Sequence, residues 1–283
     1  MEKFRIFYRN TMLVSLLLLS ACHQEESLYK REFTNKDSKI YARQFINGLN
    51  THYYQGSPEE HFQILEAKKL DSTFADIYRE MGASRVKRGL ITQFYETYGK
   101  AVAYDAESWQ GYRGYLYLYF YRDYDRAIQD YNTLDALTPD FVDYPQSENI
   151  DFSRAVCYLM KKEYDKALSY FEKFFEHEIE ADNLDYVQSR AFLFHGITYY
   201  NMGNIERALE KIDLGIQHNK NADLLYWKAK IWKESGGKTS EIFQLLKESK
   251  KLMKQGSNNR RPYVEEFYQT YIEDIEEMIQ SIS

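Results

Sequence analysis

Cysteine, proline and glycine are scarce in this chain, and its apolar runs are short. Two cysteines in 283 residues cannot build a disulfide framework. Four prolines and 13 glycines leave few positions that interrupt helices, so the composition favours an all-α fold. The apolar run Met12–Leu19 has about eight residues, whereas a helix that spans a bilayer needs roughly 20. The sequence therefore predicts no membrane-spanning helix.

A net positive charge and the common catalytic motifs are lacking as well. The formal net charge is −6 and the isoelectric point is near 5.7, which argues against a protein that holds nucleic acid. The sequence has no Gly-rich phosphate loop, no Gly-x-Ser-x-Gly and no His-Glu-x-x-His motif. His195, beside Gly196 in a helical pattern, is interpreted as a packing residue. We expect no enzymatic activity, no cofactor and no nucleic acid partner.

One acidic stretch, from Glu176 to Asp185, offers oxygen ligands of the kind that calcium prefers. It lacks the glycine turn and the alternation of a calcium-binding loop. The preferred interpretation is the solvated end of a helix, and no metal site is predicted.

The first residues have the pattern of a secretory signal. Lys3, Arg5 and Arg9 supply positive charge before the short apolar run. The next four residues, Leu19-Ser20-Ala21-Cys22, resemble the lipobox of bacterial lipoproteins. That resemblance implies cleavage before Cys22, with a diacylglyceryl group on its thiol and an acyl chain on its new amino group.

The lipobox resemblance predicts a signal peptide over residues 1–21 and a lipidated, flexible tether over residues 22–38. The alternative is a buried free Cys22 near an ordinary cleavage site. The other cysteine, Cys157, lies in a helical pattern and is interpreted as a small core residue. We therefore expect the protein to be attached to a membrane by lipid alone.

The residues after Cys22 bear on which membrane and which face hold the protein. His23-Gln24-Glu25-Glu26 is similar to the export signal of Bacteroidetes lipoproteins, in which Lys or Gln precedes two acidic residues. In that phylum the signal directs lipoproteins to the cell surface. The resemblance predicts lipid-anchored residence in the bacterial outer membrane, with the cell surface and the periplasmic face both left open.

The body of the chain repeats with a period near 34 residues. The two clearest copies place a small residue, a Tyr, an Ala and a large apolar residue at the same offsets: Ala155, Tyr158, Ala167 and Phe171, then Gly196, Tyr199, Ala208 and Ile212. These offsets resemble the tetratricopeptide repeat (TPR), a hairpin of two helices, A and B. With four weaker copies added, the six repeats start near residues 41, 75, 108, 148, 189 and 222. The third copy departs from the pattern, because Tyr115 stands where the small residue is expected.

The resemblance implies an all-α fold, a right-handed αα-superhelix of about six TPR-like hairpins over residues 39–253. Stacked repeats leave an apolar end that needs a cover. We predict that residues 254–283 supply it as a capping helix that begins at Pro262. Its apolar stripe would be Tyr263, Phe267, Tyr271, Ile272 and Ile275.

The A helices of such a stack line an inner groove, where a partner is expected to bind. Arg79 and Arg190 are predicted to orient a polar or acidic group of that partner. TPR proteins that bind chaperones clamp a carboxylate with Lys and Asn, whereas aromatic residues dominate here. The alternative for each ring is packing between helices. The predicted groove residues are Phe45, Tyr53, Arg79, Tyr112, Tyr119, Phe152, Arg190, Phe194, Tyr200, Tyr226 and Trp227.

Two functions fit these features. The first is a protein-interaction scaffold in the bacterial envelope, with a protein or peptide partner in an outer-membrane assembly, secretion or surface complex. Lipoproteins of five or six such repeats serve outer-membrane protein assembly and pilus secretin assembly, and this chain is similar in size. The alternative is a surface lipoprotein that binds a glycan or nutrient, since aromatic rings also stack on sugars.

Overall fold

The computed structural model describes residues 35–181 and 183–282. These residues form two compact units that divide between Ile77 and Tyr78. The described residues contain helices and connecting segments but no β-strand. The predicted signal peptide and Cys22 lie outside the described residues.

Thirteen α-helices account for most of the described chain. Consecutive helices pair as hairpins, so that α1 to α12 make six pairs and α13 follows them. A π-helical segment, Tyr117–Tyr121, extends α5, and short 3₁₀ turns lie at Pro145–Ser147 and Leu184–Tyr186. The α-helices are α1 (Asn35–His52), α2 (Pro58–Leu70), α3 (Ala75–Val86), α4 (Ile91–Tyr104), α5 (Ala106–Leu116), α6 (Tyr124–Leu137), α7 (Ile150–Met160), α8 (Tyr164–Glu180), α9 (Ser189–Asn201), α10 (Ile205–Asn219), α11 (Ala222–Glu234), α12 (Thr239–Lys254) and α13 (Ile272–Ile282).

Helix starts are fixed by local chemistry. A side-chain oxygen just before each of several helices accepts a hydrogen bond from a backbone N–H of the first turn, which otherwise has no partner. This N-cap arrangement fixes where these helices begin in a chain that has few prolines. The residues that cap in this way are Ser57, Asp105, Asp123, Asn149, Asn204 and Asn221.

The repeat pattern has a direct packing reason in the fifth hairpin. Gly196 of α9 lies against α10, and a Cβ atom built on it would lie 2.7 Å from Cγ1 of Ile212 and 3.0 Å from the carbonyl oxygen of Ala208. Only a very small residue lets the two helices approach so closely. The small-residue position predicted from the sequence is therefore the contact between the helices of a hairpin.

The third hairpin shows why its copy of the pattern departs from the others. The π-helical turn at Tyr117–Tyr121 adds one residue between the A and B helices. Gly114, and not Tyr115, thus takes the small-residue position, where an added Cβ would lie 2.8 Å from the Tyr131 ring. The sequence alignment of this copy was wrong by one residue because the π-turn cannot be read from the offsets.

The two long repeat spacings correspond to extra chain between hairpins. The connection between α6 and α7 contains a 3₁₀ turn, Pro145–Ser147, and α8 is lengthened to 17 residues before a second such turn, Leu184–Tyr186. The first helix begins at Asn35, inside the range predicted as tether. Cys157 is fully buried in α7, as expected for a core residue, and burial raises the pKa of its thiol.

The predicted start of the last helix at Pro262 is wrong. Helix α13 begins at Ile272, where the Tyr271 N–H donates to the Asp274 carboxylate at 2.8 Å. It covers the end of the sixth hairpin, as a capping helix should, through Ile275, which packs with Ile242 and Leu246 of α12. The residues between Lys254 and Ile272 are not helical.

Candidate functional site

The inner groove of the second unit is the face shared by the first helices of its hairpins, α5, α7, α9 and α11. Four of the predicted groove rings lie on it and are buried: Tyr119, Phe152, Phe194 and Trp227. Phe152 and Phe194 stack at 6.3 Å with an interplanar angle of 8°. These four rings are called the aromatic wall here, and within it Phe152 and Phe194 are in direct contact.

The chain itself covers this wall. Residues 257–271, called the groove segment here, leave α12 and run across the first helices of the third, fifth and sixth hairpins before α13 begins. Phe267 is 5% exposed and contacts the rings of Tyr119 at 5.6 Å and Phe194 at 6.5 Å. Tyr268 lies beside it, 5.6 Å from the Trp227 ring. The aromatic face predicted to bind a partner thus holds a peptide of the same chain.

A cluster of four charged side chains, two of them from the groove segment, holds the middle of this segment in place. Arg190 and Arg261 each contact both Glu148 and Glu266. Arg261 Nε lies 2.8 Å from Glu266 Oε2, and Arg190 Nη1 lies 3.4 Å from the same oxygen. All four side chains are almost completely buried, and their formal charges cancel. Such a cluster is tolerated in the interior only because every charge has opposite neighbours.

Arg261 also contacts the faces of two aromatic rings. Its guanidinium lies 3.4 Å from the centre of the Tyr119 ring and 5.7 Å from that of Tyr115. Arg122 covers the Phe267 ring at 3.8 Å and donates to the Glu265 carbonyl oxygen. Burial raises the pKa of the Tyr119 phenol well above its usual value, so this ring stays neutral.

The backbone of the groove segment is held by polar side chains of α11 and its N-cap. Asp223 accepts from the N–H of Asn259 at 2.7 Å and from the N–H of Thr270 at 3.1 Å. The Asn259 amide oxygen accepts from Asn221 Nδ2 at 2.9 Å and from the Ser189 hydroxyl at 2.7 Å. These are contacts to main-chain and amide groups, which suit a peptide that is not helical.

The remaining predicted groove residues are more accessible. Tyr112, Tyr200, Tyr226 and Arg79 are half-buried in the second unit, and Arg79 lies 4.8 Å over the Trp109 ring. Burial raises the pKa of Tyr112 to about 12. In the first unit, Phe45 is half-buried and Tyr53 is 36% exposed. Binding of a partner by any of these residues stays a prediction.

Four residues that hold the groove segment in place were not among the predicted groove residues, and two of them belong to the segment itself. Glu148 and Asp223 lie at the starts of A helices, and Arg261 and Glu266 lie in the supposed capping helix. No local signal marked Arg261 and Glu266, because Pro262 stands where a helix can begin and the neighbouring glutamates lie outside the apolar stripe.

His195 gives no catalytic geometry. It is 3% exposed and lies between the rings of Phe171 and Tyr199, each 5.3 Å away. Burial, with a smaller contribution from Lys211, lowers the pKa of its imidazole to about 3. The buried ring is therefore neutral and acts as part of the core, as the sequence predicted.

We expect acidification to weaken the fold through His195. An imidazole in the unfolded chain takes up a proton as the pH falls through about 6.5, whereas the folded one stays neutral down to about 3. The unfolded state then binds more protons, so the free energy of unfolding falls by about 2 kcal/mol at pH 5 from this group alone. Urea denaturation at pH 7.5 and pH 5 measures the loss.

His195→Phe is the control for that prediction, because it keeps an aromatic ring in the stack and removes the titrating group. The variant should lose less stability than the wild type between the two pH values. An equal loss in both proteins would assign the pH dependence to other groups.

Neither metal binding nor a membrane crossing is indicated. In the part of the chain that the structure describes, no three His, Cys, Asp or Glu side chains are grouped to hold a metal ion. Within residues 35–181 and 183–282, every helix is too short or too polar to cross a bilayer. Two residues of the acidic stretch make structural contacts instead: Glu178 accepts from the Tyr144 hydroxyl at 3.0 Å, and Asp185 pairs with His218 at 2.7 Å.

The fold and the groove define this protein as a TPR-like solenoid of helical hairpins. No protein-family model matches the chain, and no curated protein matches it. Solved structures do. The chain is similar to Pseudomonas aeruginosa PilF, with a TM-score of 0.56 and 18% identity over 78% of this chain and 92% of that one.

Two further structures extend the likeness. PilW, described as a widely conserved type IV pilus biogenesis factor, has a TM-score of 0.57 and 14% identity over 78% of this chain and 94% of that one. YrrB, described as a TPR protein with an unusual peptide-binding site, has a TM-score of 0.50 and 18% identity over 68% of this chain and 90% of that one. At these identities the likeness establishes the fold, and the predicted all-α, TPR-like solenoid is confirmed.

Proposed function

We propose that this protein is a lipid-anchored scaffold of the bacterial envelope that binds a non-helical segment of a protein partner in its inner groove. The observation that carries the proposal is the groove segment itself. Residues 257–271 lie along the groove in a non-helical conformation, with backbone N–H groups held by Asp223 and an aromatic side chain, Phe267, against the wall. A surface that accepts one peptide in this way has the chemistry to accept another.

The groups in the groove favour a peptide over a glycan. The Asp223 carboxylate accepts hydrogen bonds from two backbone N–H groups, which a peptide has and a glycan lacks. Arg190 and Glu148 can pair with charged side chains of a peptide. Tyr119, Phe194 and Trp227, the rings on which a sugar would stack, are buried beneath Phe267 and Tyr268. The glycan-binding alternative rests on the half-buried Tyr112, Tyr200 and Tyr226.

The place of the scaffold in the cell is proposed from the sequence. The lipobox at Cys22 supports anchoring by lipid, and the residues after it support the outer membrane, on the surface or on the periplasmic face. The likeness in fold to PilF and to the pilus biogenesis factor PilW supports a role in an envelope assembly, secretion or surface complex.

Site-specific photo-crosslinking in cells tests this function. A photoreactive aromatic residue replaces Tyr112 or Tyr200, which border the groove, or Tyr104, which is 48% exposed at the end of the second helix of its hairpin. We expect a protein adduct from Tyr112 and Tyr200 and none from Tyr104, because exposed positions away from the groove do not face the partner. The same adducts from all three positions, or none, would contradict the proposal. Binding of polysaccharide without protein adducts would favour the alternative.

A further inference from the structure

Residues 258–271 of the groove segment, called the strap here, lie between two parts of the chain that are anchored by other contacts. Helix α12 ends at Lys254, and the Ser257 carbonyl oxygen accepts from the Ala222 N–H at 2.9 Å. At the other end, α13 packs on α12 through its own apolar face around Ile275. Neither of these contacts uses residues 258–271, which lie between them.

Ion pairs, hydrogen bonds and ring contacts hold the strap, and a peptide that offers the same groups can replace each of them. At the centre of the strap is the cluster of Arg190, Arg261, Glu148 and Glu266, and a buried ion cluster gains little net stability over its solvated parts. The backbone is also in the left-handed region at two residues that are not glycine, with φ of 72° at Tyr263 and 51° at Tyr268. That conformation is disfavoured for side chains with a Cβ.

We propose that residues 258–271 are an internal competitor, which a partner peptide displaces by offering the groove the same groups in the same order. This inference rests on the proposed function of the groove and names the class of its ligand. The ligand is a non-helical peptide with an arginine five residues before a glutamate and an aromatic residue directly after the glutamate.

Each part of that ligand pattern corresponds to a contact in the structure. Arg261 stacks on Tyr119 and pairs with Glu148. Five residues later, Glu266 faces Arg190, and the next side chain, Phe267, fills the space against the aromatic wall. Asp223 accepts from main-chain N–H groups on either side of this stretch, so it adds affinity for any peptide of the pattern.

Competition predicts a specific change in apparent affinity. A groove that its own strap leaves open only one part in a hundred binds an outside ligand about a hundredfold more weakly than an open one. Weakening the strap, and nothing else, should therefore strengthen binding of a peptide added in solution.

The probe is a fluorescently labelled synthetic peptide with the sequence of residues 257–271, Ser257 to Tyr271. Its binding to the full chain is followed by fluorescence anisotropy. We expect binding at least about tenfold tighter to the variant Arg261→Ala/Phe267→Ala than to the wild type, because the weakened strap vacates the groove more often. Tyr263→Ala is the matched control in the same strap, since Tyr263 is 71% exposed, and should bind the peptide as the wild type does.

A second peptide, carrying the Arg261→Ala and Phe267→Ala changes itself, should not bind any of these proteins. A folded double variant, judged by its circular dichroism, that binds both peptides equally or neither of them overturns the inference. Equal binding of the first peptide to the wild type and the double variant overturns it as well.

Hydrogen exchange on the wild type decides the matter if the double variant does not fold. The amides of Asn259 and Thr270, which donate to Asp223, should exchange at least about a hundredfold faster than those of α10 and α12, because the strap opens without global unfolding. Exchange as slow as in those helices would make the strap a permanent part of the core, and would overturn the inference. Crosslinks from Tyr112 and Tyr200 test the proposed function separately, since a partner can bind there whether or not the strap competes.

Discussion

Replacing Arg154 with alanine is expected to lower the free energy of unfolding by about 3–5 kcal/mol, because it breaks a buried ion pair from one side. Arg154 is 2% exposed. Its guanidinium pairs with Asp151 at 2.9 Å and Asp135 at 3.0 Å, and it donates to the Tyr131 carbonyl oxygen at 3.1 Å. The substitution leaves the buried Asp151 carboxylate with only Lys173 as a positive neighbour.

Urea denaturation of the two proteins measures this loss, and Arg207→Ala is the matched control. Arg207 also pairs with a carboxylate, Glu210 at 2.6 Å, but both side chains are exposed. Water solvates either charge when the other is removed, so the urea concentration at the midpoint of unfolding should not change measurably. An equal loss in the free energy of unfolding for the two variants would mean that burial of the arginine does not determine how much stability its removal costs.

Replacing Cys22 with alanine is expected to move this protein from the membrane fraction to the soluble fraction. Each buried CH₂ group of an acyl chain contributes about 0.8 kcal/mol to membrane binding, and two or more chains hold a protein stably. Without a thiol at residue 22 there is no position for the diacylglyceryl group that the lipobox implies. Fractionation of cells grown with labelled palmitate measures both the location and the lipid.

Cys157→Ala is the control for the anchor, because Cys157 is the other cysteine of the chain and is fully buried in α7. That variant should stay in the membrane fraction and keep its label. A Cys22→Ala protein that sediments with membranes as before would place the anchor elsewhere.

The hairpins could be predicted because their causes are local. Gly196 and Ala208 stand at fixed offsets since two helices of one hairpin touch there, and the same close approach recurs at Gly82 and at Gly114. Capping residues such as Asn204 and Asn221 act within three residues of their own position. Even so, one added residue in the π-turn at Tyr117–Tyr121 moved the third copy out of alignment.

The groove segment could not be predicted, because its conformation depends on residues far away in sequence. Phe267 and Tyr271 are four residues apart and follow a proline, which is also the pattern of an amphipathic helix. The groove contacts outweigh that preference, since Arg261 reaches Glu148 and Phe267 reaches Tyr119 across more than 100 residues.

The sequence by itself determined the class of fold and the repeat period, because helix pattern, capping and composition act over a few residues. Only the tertiary structure decided what lies in the groove. Arg190 was predicted to meet an acidic group of a partner, and in the folded chain it meets Glu266 of the groove segment. A buried charge takes whichever opposite charge the fold brings within reach, and that distance is set by the packing of whole hairpins rather than by neighbours in sequence.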